Sequence, residues 1–385
     1  MMSKALCSQI KKNNEGSMKI LTIGGATQDI FILHKDPEMV HFCLAHQTQS
    51  FLLLEEGKKI DVENVLYLSG GGATNSAVLF KRCGFETATC FKIGADERGD
   101  FILNDLKKED IDLSNVIRTQ HERTAISFII PSPSGDRTVL CYRGTTQTVT
   151  HNEIPFDAFK QFDQLYITSL SGPSAQLLPE IAHAAKKHHI PVATNPGSSQ
   201  LQSGADALQE ALPNIDILIL NTEEACMLMA SLIRTNVKLQ QHLVDQPAQA
   251  QKELPSLLQQ EITYQTLCFD IKHFFSEVLS RGPKIVVVTN GAEGVYVATH
   301  DAILFHPSLN VNVVDTLGAG DAFGSCFVAS LLHNYTISES LMRGIMNAAS
   351  VISFYGAKEG LLSKTALDIK MKTMPTNLVQ TFSFK

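Results

Sequence analysis

The chain has 385 residues, a formal net charge of −7 at pH 7, 18% charged residues and 44% hydrophobic residues. This balance is typical of a globular protein with one large domain and an appendage, or with two domains, and it offers no basic patch for nucleic acid or for a membrane surface. The eight cysteines are scattered without metal-binding spacing, and no apolar run reaches transmembrane length. We therefore expect a cytoplasmic protein with reduced thiols.

The N-terminal part of the chain begins with a polar segment, 1–17, that lacks the apolar core of a secretory signal. We interpret it as a disordered extension and expect the fold to begin near Met18 with a short apolar strand that ends in glycines. Segments 30–68 and 125–143 contain short alternating strands broken by turn residues. They predict a small antiparallel sheet inserted into a larger unit.

The remaining elements alternate between strand and helix. Predicted strands cover 87–93, 164–168, 191–194, 215–220 and 284–289, and predicted helices cover 73–83, 99–108, 176–188, 202–211 and 322–332. This alternation predicts a parallel sheet with helices on both faces. Segment 234–281 is too long for an ordinary connection, so we interpret it as a surface insertion that forms extra helices and has no catalytic role.

The most informative segment for function is VDTLGAGDAF, residues 314–323. Glycines at 318 and 320 let the backbone approach a ligand, and the helix that follows directs its unpaired N–H groups at the same point, where phosphate binds. Asp321 beside a phosphate is explained if it removes a proton from a hydroxyl while the backbone holds the phosphate. The alternative is an Asp that only caps the helix. Asp315, at the preceding strand end, favours the catalytic interpretation.

A second glycine cluster, Gly70 to Gly72, opens the first predicted helix. Three successive glycines indicate that a ligand or another backbone approaches closely, and Asn75 in the first helical turn could then bond ligand hydroxyls. Asp29, after the first strand, could accept two hydrogen bonds from a diol. The structural alternatives are a tight turn with Asn75 exposed and a capping role for Asp29.

Further candidates follow other predicted strands. Asn221 and Glu224 share one face of a helix start, where Glu224 could hold magnesium through water, although a capping box explains the same spacing. Segment 289–294, TNGAEG, is a hairpin turn and a candidate nucleotide loop. Arg143 is either a solvated arginine or a contact for an anionic group on the substrate. The histidines show no ligand spacing, so a metal–histidine site is not expected.

Together these motifs resemble the ribokinase-like (PfkB) carbohydrate kinase family. Residues 315–321, DTLGAGD, match its D-T-x-G-A-G-D signature, and residues 70–75 with 92–99 match its N-terminal signature. Asn221 and Glu224 match its N-x-x-E motif. The resemblance implies a three-layer α/β/α sandwich with a mostly parallel central sheet and a small β-sheet lid, built from the two inserted blocks on a single domain over 18–385.

The resemblance also implies ATP-dependent phosphorylation of a sugar or nucleoside hydroxyl with Mg²⁺. Asp321 would be the base, and the backbone N–H groups of Gly318, Ala319 and Gly320 would form the anion hole. Substrate would be held by Asp29, Gly71, Gly72, Asn75 and Arg143. The nucleotide side would comprise Asn195, Asn221, Glu224, Thr289, Gly291, Gly294, Gly320 and Asn347. Family members often use a monovalent cation such as K⁺, for which Asp315, Thr316 and residues 355–360 would correspond.

The sequence departs from the family pattern at two places. The insertion is longer than expected, and residues 196–198 show no basic residue after Asn195, where some members carry a phosphate contact. Two alternatives remain open: a nucleoside kinase of the same fold, with an aromatic slot in the lid, and a non-catalytic sugar- or nucleotide-sensing protein. A dinucleotide-dependent oxidoreductase is excluded because G-x-G-x-x-G is absent. The exposed lid edge suggests a homodimer.

Overall fold

The structure is a computed structural model that describes residues 17–34, 38–44, 47–132, 136–235, 254–259, 261–264, 267–375 and 378–384. Of the predicted extension 1–17, all but Ser17 lies outside the described residues. Residues 133–135, within the predicted segment 125–143, also lie outside them.

Nineteen strands are present in the described part of the chain. In chain order they are β1 Lys19–Ile23, β2 Thr27–Leu33, β3 Met39–Leu44, β4 Gln47–Leu52, β5 Asn64–Gly70, β6 Glu86–Cys90, β7 Lys92–Gly94, β8 Ile117–Thr119, β9 Ala125–Pro131, β10 Arg137–Tyr142, β11 Gln164–Ile167, β12 Val192–Thr194, β13 Ile217–Asn221, β14 Ile262–Tyr264, β15 Leu267–Phe269, β16 Ile285–Thr289, β17 Val295–Ala298, β18 Ile303–His306 and β19 Gln380–Phe382.

The α-helices of the same residues connect these strands. They are α1 Gly72–Arg82, α2 Glu97–Lys108, α3 Leu178–Lys187, α4 Ser198–Leu201, α5 Ala205–Ala211, α6 Thr222–Thr235, α7 Ser256–Gln259, α8 Ile271–Ser280, α9 Ala319–Leu332, α10 Ile337–Val351 and α11 Lys364–Met371. Short 3₁₀ turns lie at Gly144–Gln147, His151–Glu153, Phe156–Gln161, Gly172–Leu177, Leu212–Asn214 and Gly291–Glu293.

The central sheet has nine strands in the order β6-β1-β11-β12-β13-β16-β17-β18-β19. The first six strands run parallel to one another. Each of the last three, β17, β18 and β19, pairs antiparallel with the strand before it in this order. Along β13, Leu218 and Leu220 belong to one apolar cluster, while Ile217 and Ile219 belong to a second cluster on the opposite face. Helices α3, α5, α6 and α8 cover the first cluster and α1, α9 and α10 cover the second. The predicted three-layer sandwich is therefore confirmed.

A separate four-stranded sheet has the order β10-β9-β2-β5. We call it the lid sheet, and its strands come from the two inserted blocks. Between β2 and β5 in the sequence, β3 and β4 pair with each other as a separate two-stranded sheet. The prediction of an antiparallel sheet is wrong for one pair, because β2 and β9 run parallel. The first lid strand also begins at Thr27, so Asp29 lies inside β2 and not in a loop after β1.

Several predicted boundaries differ from the structure. The predicted strand 87–93 is divided at Phe91, because β6 pairs with β1 whereas β7 pairs with β8. The insertion predicted at 234–281 does not extend to residue 281. Helix α8 buries Ile271, Phe274 and Phe275 in the core, so this helix belongs to the α/β/α unit. The described remainder contributes α7 and the β14–β15 hairpin.

Candidate active site

Two helices begin next to each other at the edge of the central sheet. Helix α9 begins at Ala319, three residues before its predicted start, and places Asp321 in its first turn. Helix α1 places Asn75 in its own first turns, and Asn75 Nδ2 donates a hydrogen bond of 2.9 Å to Asp321 Oδ2. Asn75 Oδ1 is buried and has no partner in the described structure. The two predicted halves of the site therefore meet directly at Asn75 and Asp321.

The turn before α9 exposes backbone donors. Gly318 caps the helix in a left-handed conformation with φ of 77°, which a residue with a side chain rarely adopts. The N–H groups of Gly320 and Asp321 have no acceptor among the described residues, whereas the N–H of Ala319, which was expected in the anion hole, donates to Thr316 O at 3.3 Å. They coincide with the positive end of the helix dipole, so the turn can bind an anion. Asp315 holds the turn from behind, accepting from Leu317 N–H at 3.0 Å and Gly356 N–H at 3.3 Å.

Asp321 is a partly buried carboxylate with a raised pKa. Burial raises its pKa, while the hydrogen bond from Asn75 and the positive charge of Lys358 act in the opposite direction. The Tyr166 hydroxyl is fully buried near Asp321 without a partner in the described part of the chain, and burial followed by the charge of Asp321 raises the pKa of that hydroxyl. A carboxylate with a raised pKa is better suited to accept a proton than an ordinary exposed one.

The glycine cluster before α1, Gly70 to Gly72, is packed against the protein itself. A side chain at Gly70 would overlap the Asp29 carboxylate, and one at Gly71 would overlap the carbonyl of Gly25. Gly71 also has a φ of 95°. One at Gly72 would overlap Thr168. The close approach that three glycines predict is therefore made by other parts of this chain, and it seats Asp29 beside the start of α1.

Asp29 and Lys358 form a buried charge cluster on this side. Asp29 is 6% exposed, and burial raises its pKa to about 6 against hydrogen bonds from Ser127 and Thr27 and the charge of Lys358. Lys358 is 8% exposed; burial lowers its pKa to about 8 although Asp105 and Asp29 favour the charged form. Its Nζ donates to Ser69 Oγ at 2.5 Å and lies 3.6 Å from Asp105 Oδ2.

A cavity of about 530 Å³ opens on the other side of the α9 turn. Thr316, Ala319 and Gly320 lie on its wall, together with Thr289 and Gly291 from the loop after β16. The rest of the wall is mainly apolar and comprises Ala292, Val295, Ser308, Leu309, Asn310, Val311, Val313, Phe323, Ile345, Ala348, Ala349 and Ile352. An apolar cleft that ends at free backbone N–H groups has the form expected for a flat ring joined to phosphates.

The N-x-x-E residues lie at the last residue of β13 and in the first turn of α6. Asn221 Oδ1 accepts from Glu224 N–H and Glu224 Oε2 accepts from Asn221 N–H, each at 2.8 Å, so the capping alternative is present in the structure. Burial, then the charges of Asp321 and Glu223, raises the pKa of Glu224 to about 7 against the Asn221 hydrogen bond. Asn195, at the end of β12, donates to Ile219 O at 2.9 Å.

This region suits a Mg²⁺ ion that is bound mainly by substrate phosphates and water, with few protein side chains. Glu224 has no cationic partner among the described residues, and the negative charge of Asp321 acts on it, so a cation would relieve both. The described residues contain no group of three or more His, Cys, Asp or Glu side chains that could hold a metal by themselves. Mg²⁺ usually takes one or two carboxylates with waters and substrate phosphates.

Five residues predicted for the nucleotide side do not line the cavity, and neither does the predicted substrate contact Arg143; the five are Asn195, Asn221, Glu224, Gly294 and Asn347. Asn347 is fully buried; its Nδ2 donates to Ala322 O at 2.8 Å and its Oδ1 accepts from Leu362 N–H at 2.9 Å, so both ends of the amide join backbone segments. Gly294 is fitted against the carbonyl of His306. Arg143 is exposed, and its carbonyl accepts from Thr146.

Two charged residues near the site were not anticipated from the sequence. Lys358 lies within segment 355–360, but its contact with Ser69 joins positions 289 residues apart. Arg137, on the lid strand β10, donates to the Thr316 hydroxyl across 179 residues. Long-range contacts of single charged residues leave no local pattern, so no signal in the sequence could have identified them.

The comparisons with known proteins agree with this fold. The pfkB family carbohydrate kinase profile matches residues 42–263 and 251–364. A ribokinase of Staphylococcus aureus is 29% identical over 288 residues, which are 72% of this chain and 79% of that protein. Among solved structures, a ribokinase of Arabidopsis thaliana complexed with ribose and ATP has a TM-score of 0.69 and 18% identity, with 94% of this chain and 100% of that chain covered.

A nucleoside kinase of Methanocaldococcus jannaschii has a TM-score of 0.66 and 18% identity, with 93% of this chain and 100% of that chain covered. At these identities the solved structures show the fold, which is the predicted ribokinase-like sandwich with additional small sheets. No helix in the described ranges has the length and apolar character needed to span a bilayer. Because the profile covers most of the sequence, the chain belongs to the PfkB family of carbohydrate kinases.

Proposed function

We propose that this kinase transfers the γ-phosphoryl group of ATP to a hydroxyl of a sugar or sugar-like substrate. The hydroxyl oxygen forms a bond to the γ-phosphorus while the bond from that phosphorus to the β–γ bridging oxygen breaks. ADP leaves with the bridging oxygen, and the hydroxyl proton passes to Asp321. The free backbone N–H groups of Gly320 and Asp321 hold the transferred group, since preorganised donors stabilise charge that develops in the transition state.

One observation carries this proposal: Asp321 lies in the first turn of α9, beside backbone N–H groups that have no protein acceptor in the described structure. A proton acceptor and an anion-binding turn are thus adjacent, with a cavity on one side and Asn75 on the other. A sensing protein would need the turn but not the base. The geometry therefore favours a kinase over the non-catalytic alternative.

On the acceptor side, we assign the substrate hydroxyls to Asp29, Asn75 and the backbone of Gly71 and Gly72. Asn75 Oδ1 is a buried acceptor without a partner in the described residues, and Asp29 is a buried carboxylate 6% exposed. Buried polar atoms of this kind lose free energy unless a ligand or water satisfies them. Arg143 would meet an anionic group if the substrate carries one.

On the nucleotide side, we assign the base and ribose of ATP to the apolar cavity, with Thr289 and Gly291 at its wall. Glu224 would hold Mg²⁺ through water, and Asn195 and Asn221 would lie near the phosphates. Bound Mg²⁺ would supply charge neutralisation between phosphate oxygens. A monovalent cation such as K⁺ would lie beside Asp315 and Thr316. Gly294 and Asn347 would support this side through packing and not through contact.

A nucleoside acceptor is the second candidate, favoured by the fold shared with the archaeal nucleoside kinase. It would need an aromatic ring free to stack on a base. Phe31 is fully buried, with its ring centroid 5.8 Å from that of Tyr355, so this lid aromatic is already engaged by the protein. Other lid aromatics are exposed, Tyr67 among them at 57%, so the acceptor screen described below decides between a sugar and a nucleoside.

We further propose that the protein works in the cytoplasm as a homodimer joined through the lid. The lid segments expose large apolar side chains, including Phe42, Tyr67 and Leu140 at 55%, 57% and 55%. Exposed apolar strands at a sheet edge are typical of a surface that is covered by a partner. Light scattering at working concentration should give twice the mass of the 42.2 kDa chain.

The proposed activity is tested by an ATP-consumption screen over pentoses, hexoses, sugar acids, sugar phosphates and nucleosides, with and without K⁺ and Mg²⁺. We expect turnover with at least one sugar-like acceptor and none without Mg²⁺. Preference for an acidic or phosphorylated sugar, lost on Arg143→Ala, would support the role given to Arg143. Turnover confined to nucleosides would replace the sugar assignment with the second candidate.

A further inference from the structure

The loop of residues 289–294, which follows β16, is hydrogen-bonded to helix α7 of the insertion. Asn290 Nδ2 donates to Ser256 Oγ at 3.3 Å and to Glu293 Oε2 at 2.7 Å, and Ser256 Oγ donates to the same Glu293 oxygen. Within the loop, Asn290 N–H donates to Gly294 O at 2.8 Å, and Glu293 N–H donates to Asn290 O at 3.0 Å. Ser256 therefore closes a network whose other two side chains belong to the loop.

Helix α7 is itself fixed to the central sheet. Tyr296 of β17 is fully buried, and its hydroxyl accepts from Leu257 N–H at 3.1 Å and lies 3.4 Å from Ser256 Oγ. Leu257 and Leu258 pack against the apolar cluster on this face of the sheet. Because α7 is both packed and hydrogen-bonded to the core, it can restrain the loop that it contacts.

The other side of this loop lines the apolar cavity. Thr289, Gly291 and Ala292 lie on the cavity wall, whereas Asn290 and Glu293 are absent from the wall that the described residues form. Gly291 has a φ of 50°, and a side chain there would meet no atom of the described structure within 4 Å. The loop is therefore open where a nucleotide would contact it and is tied to the insertion through the two side chains that do not line the cavity.

The same network reaches the N-x-x-E motif. Thr222 lies between Asn221 and Glu224, and its hydroxyl is 2.9 Å from Asn290 Oδ1 and 3.2 Å from Thr289 O, both of which can accept from it. The amide of Asn290 thus joins the start of α6, the loop and α7. Hydrogen bonds in a connected network reinforce one another, so loss of one member should loosen the geometry of the whole loop.

We propose that Ser256 and Asn290 are positioning residues for ATP, and that the insertion uses them to hold the loop 289–294 in its nucleotide-binding geometry. This inference rests on the proposed function, which assigns the base and ribose of ATP to the cavity. Neither residue contacts the reacting atoms, and both act through Gly291 and Ala292 on the wall. A loop that is already ordered costs less entropy when a ligand binds. The insertion thereby contributes to nucleotide affinity.

The first test compares Ser256→Ala, Ser256→Thr and Ser280→Ala with the wild type, using the best acceptor of the screen. Ser280 is the matched control, because it is an exposed serine whose hydroxyl donates to Glu277 O within α8. We expect Ser256→Ala to raise the KM for ATP about tenfold, as loss of a hydrogen bond to a charged group does. Its kcat, its KM for the acceptor and its melting temperature should be preserved. Ser256→Thr keeps the hydroxyl and should recover most of the affinity, and Ser280→Ala should match the wild type.

Calorimetric titration with ADP tests the inference independently of turnover. We expect Ser256→Ala to bind ADP about tenfold more weakly than the wild type. In an Asn290→Ala background the same substitution should add almost nothing, because both residues act through one network.

The outcomes separate this inference from the proposed function. A wild type that binds ADP but phosphorylates no acceptor would overturn the proposed function alone. An active wild type whose ADP affinity is unchanged by Ser256→Ala would overturn the inference alone. Losses of ADP affinity that add fully in the double variant would also overturn it, since Ser256 and Asn290 would then act separately. A rise in KM shared equally by ATP and the acceptor would overturn it as well, because it would indicate a general loss of structure.

Discussion

Two glycine-rich turns open helices in this protein, and they contain glycine for different reasons. In the turn before α1, side chains at Gly70, Gly71 and Gly72 would each overlap a part of this chain. In the turn before α9, a side chain at Gly318 would overlap Ala357, but one at Gly320 would find no atom of the described structure within 4 Å. The first turn is therefore packed at all three glycines, whereas the second is packed at Gly318 and open at Gly320.

This difference distinguishes a turn that supports the fold through packing from a turn that can contact a ligand. The first turn brings Asp29 and the start of α1 together and so shapes the acceptor side through packing. The second turn keeps the N–H groups of Gly320 and Asp321 without protein acceptors. A glycine beside open space and free donors is a better indicator of ligand contact than a run of glycines. Substitutions at Gly71 and at Gly320 should therefore have opposite effects on stability and activity.

The largest expected effect is that of Asp321→Asn in the second turn. The amide keeps the size of the side chain and can still bond Asn75, but it accepts no proton at neutral pH. We expect kcat to fall by roughly 10²- to 10⁴-fold, the range of general base catalysis, with the melting temperature unchanged or raised because burial raises the Asp321 pKa. Steady-state kinetics and thermal unfolding measure both quantities.

The control for this variant is Asp301→Asn, since Asp301 is exposed in the turn between β17 and β18, and it should behave as wild type. Near-normal turnover of Asp321→Asn would remove the base from the mechanism and leave the second turn as a phosphate site only.

Gly71→Ala should produce the largest loss of stability in the first turn. The added methyl would overlap the Gly25 backbone at a φ of 95°, and backbone atoms cannot move aside as a flexible side chain can. Strain and overpacking together predict a loss of roughly 2–4 kcal/mol in the free energy of unfolding. Urea denaturation measures it, and Gly57→Ala, at a positive φ but in open space, separates backbone strain from overlap. Equal losses in the two variants would refute the packing explanation.

Gly320→Ala should show the reverse pattern. The site is helical and open, so alanine should leave the free energy of unfolding unchanged or increase it by about 0.5 kcal/mol. The methyl would lie on the cavity wall where the phosphates approach, and displacement of reacting groups by about 1 Å can lower the rate by about 10²-fold. A stable variant with full kcat/KM would show that the free donors of this turn do not contact the transferred group.

How far the sequence predicted this molecule depends on the range of the interactions involved. Buried Ile- and Val-rich strands such as β13 and β16, and the motif around Asp321, are local patterns, and both were predicted. Asp29 was expected after a strand and lies inside one, because pairing with β5 and β9 extends β2 toward the glycines. Asn347 was expected near nucleotide, but its amide is used by two backbone segments that only tertiary packing brings together.

The charged residues that tune the site were not predictable for the same reason. The pairing of Lys358 with Ser69 and of Arg137 with Thr316 depends on how the lid, α1 and the segment after α10 are placed against one another. No periodicity or spacing encodes such contacts. A motif thus predicts which residues perform the chemistry, whereas the electrostatic environment that adjusts them requires the folded structure.

The smallest expected effect concerns Asp29, the carboxylate that packs against the first turn. Burial raises its pKa to about 6, so protonation on lowering the pH through 6 would remove a hydrogen-bond acceptor for sugar hydroxyls. For a group with this pKa, sugar affinity should fall about tenfold between pH 7 and pH 5. Calorimetric titration of sugar in the absence of nucleotide measures it. An Asp321→Asn background excludes titration of the base, and adding Glu224→Gln to that background excludes titration of Glu224, whose pKa burial raises to about 7.

The same titration shows whether packing in the first turn sets this pKa. Gly70 lies against the Asp29 carboxylate and keeps solvent from it, so loosening that contact should rehydrate the carboxylate and lower its pKa toward the ordinary range. Ser127→Ala acts in the other direction, because it removes a hydrogen bond that stabilises the charged form, and should move the midpoint above 6. A midpoint that stays near 4 in the wild type and in Ser127→Ala would mean that the first turn does not bury Asp29 in solution, and the distinction between a packed turn and an open turn would then fail at this residue.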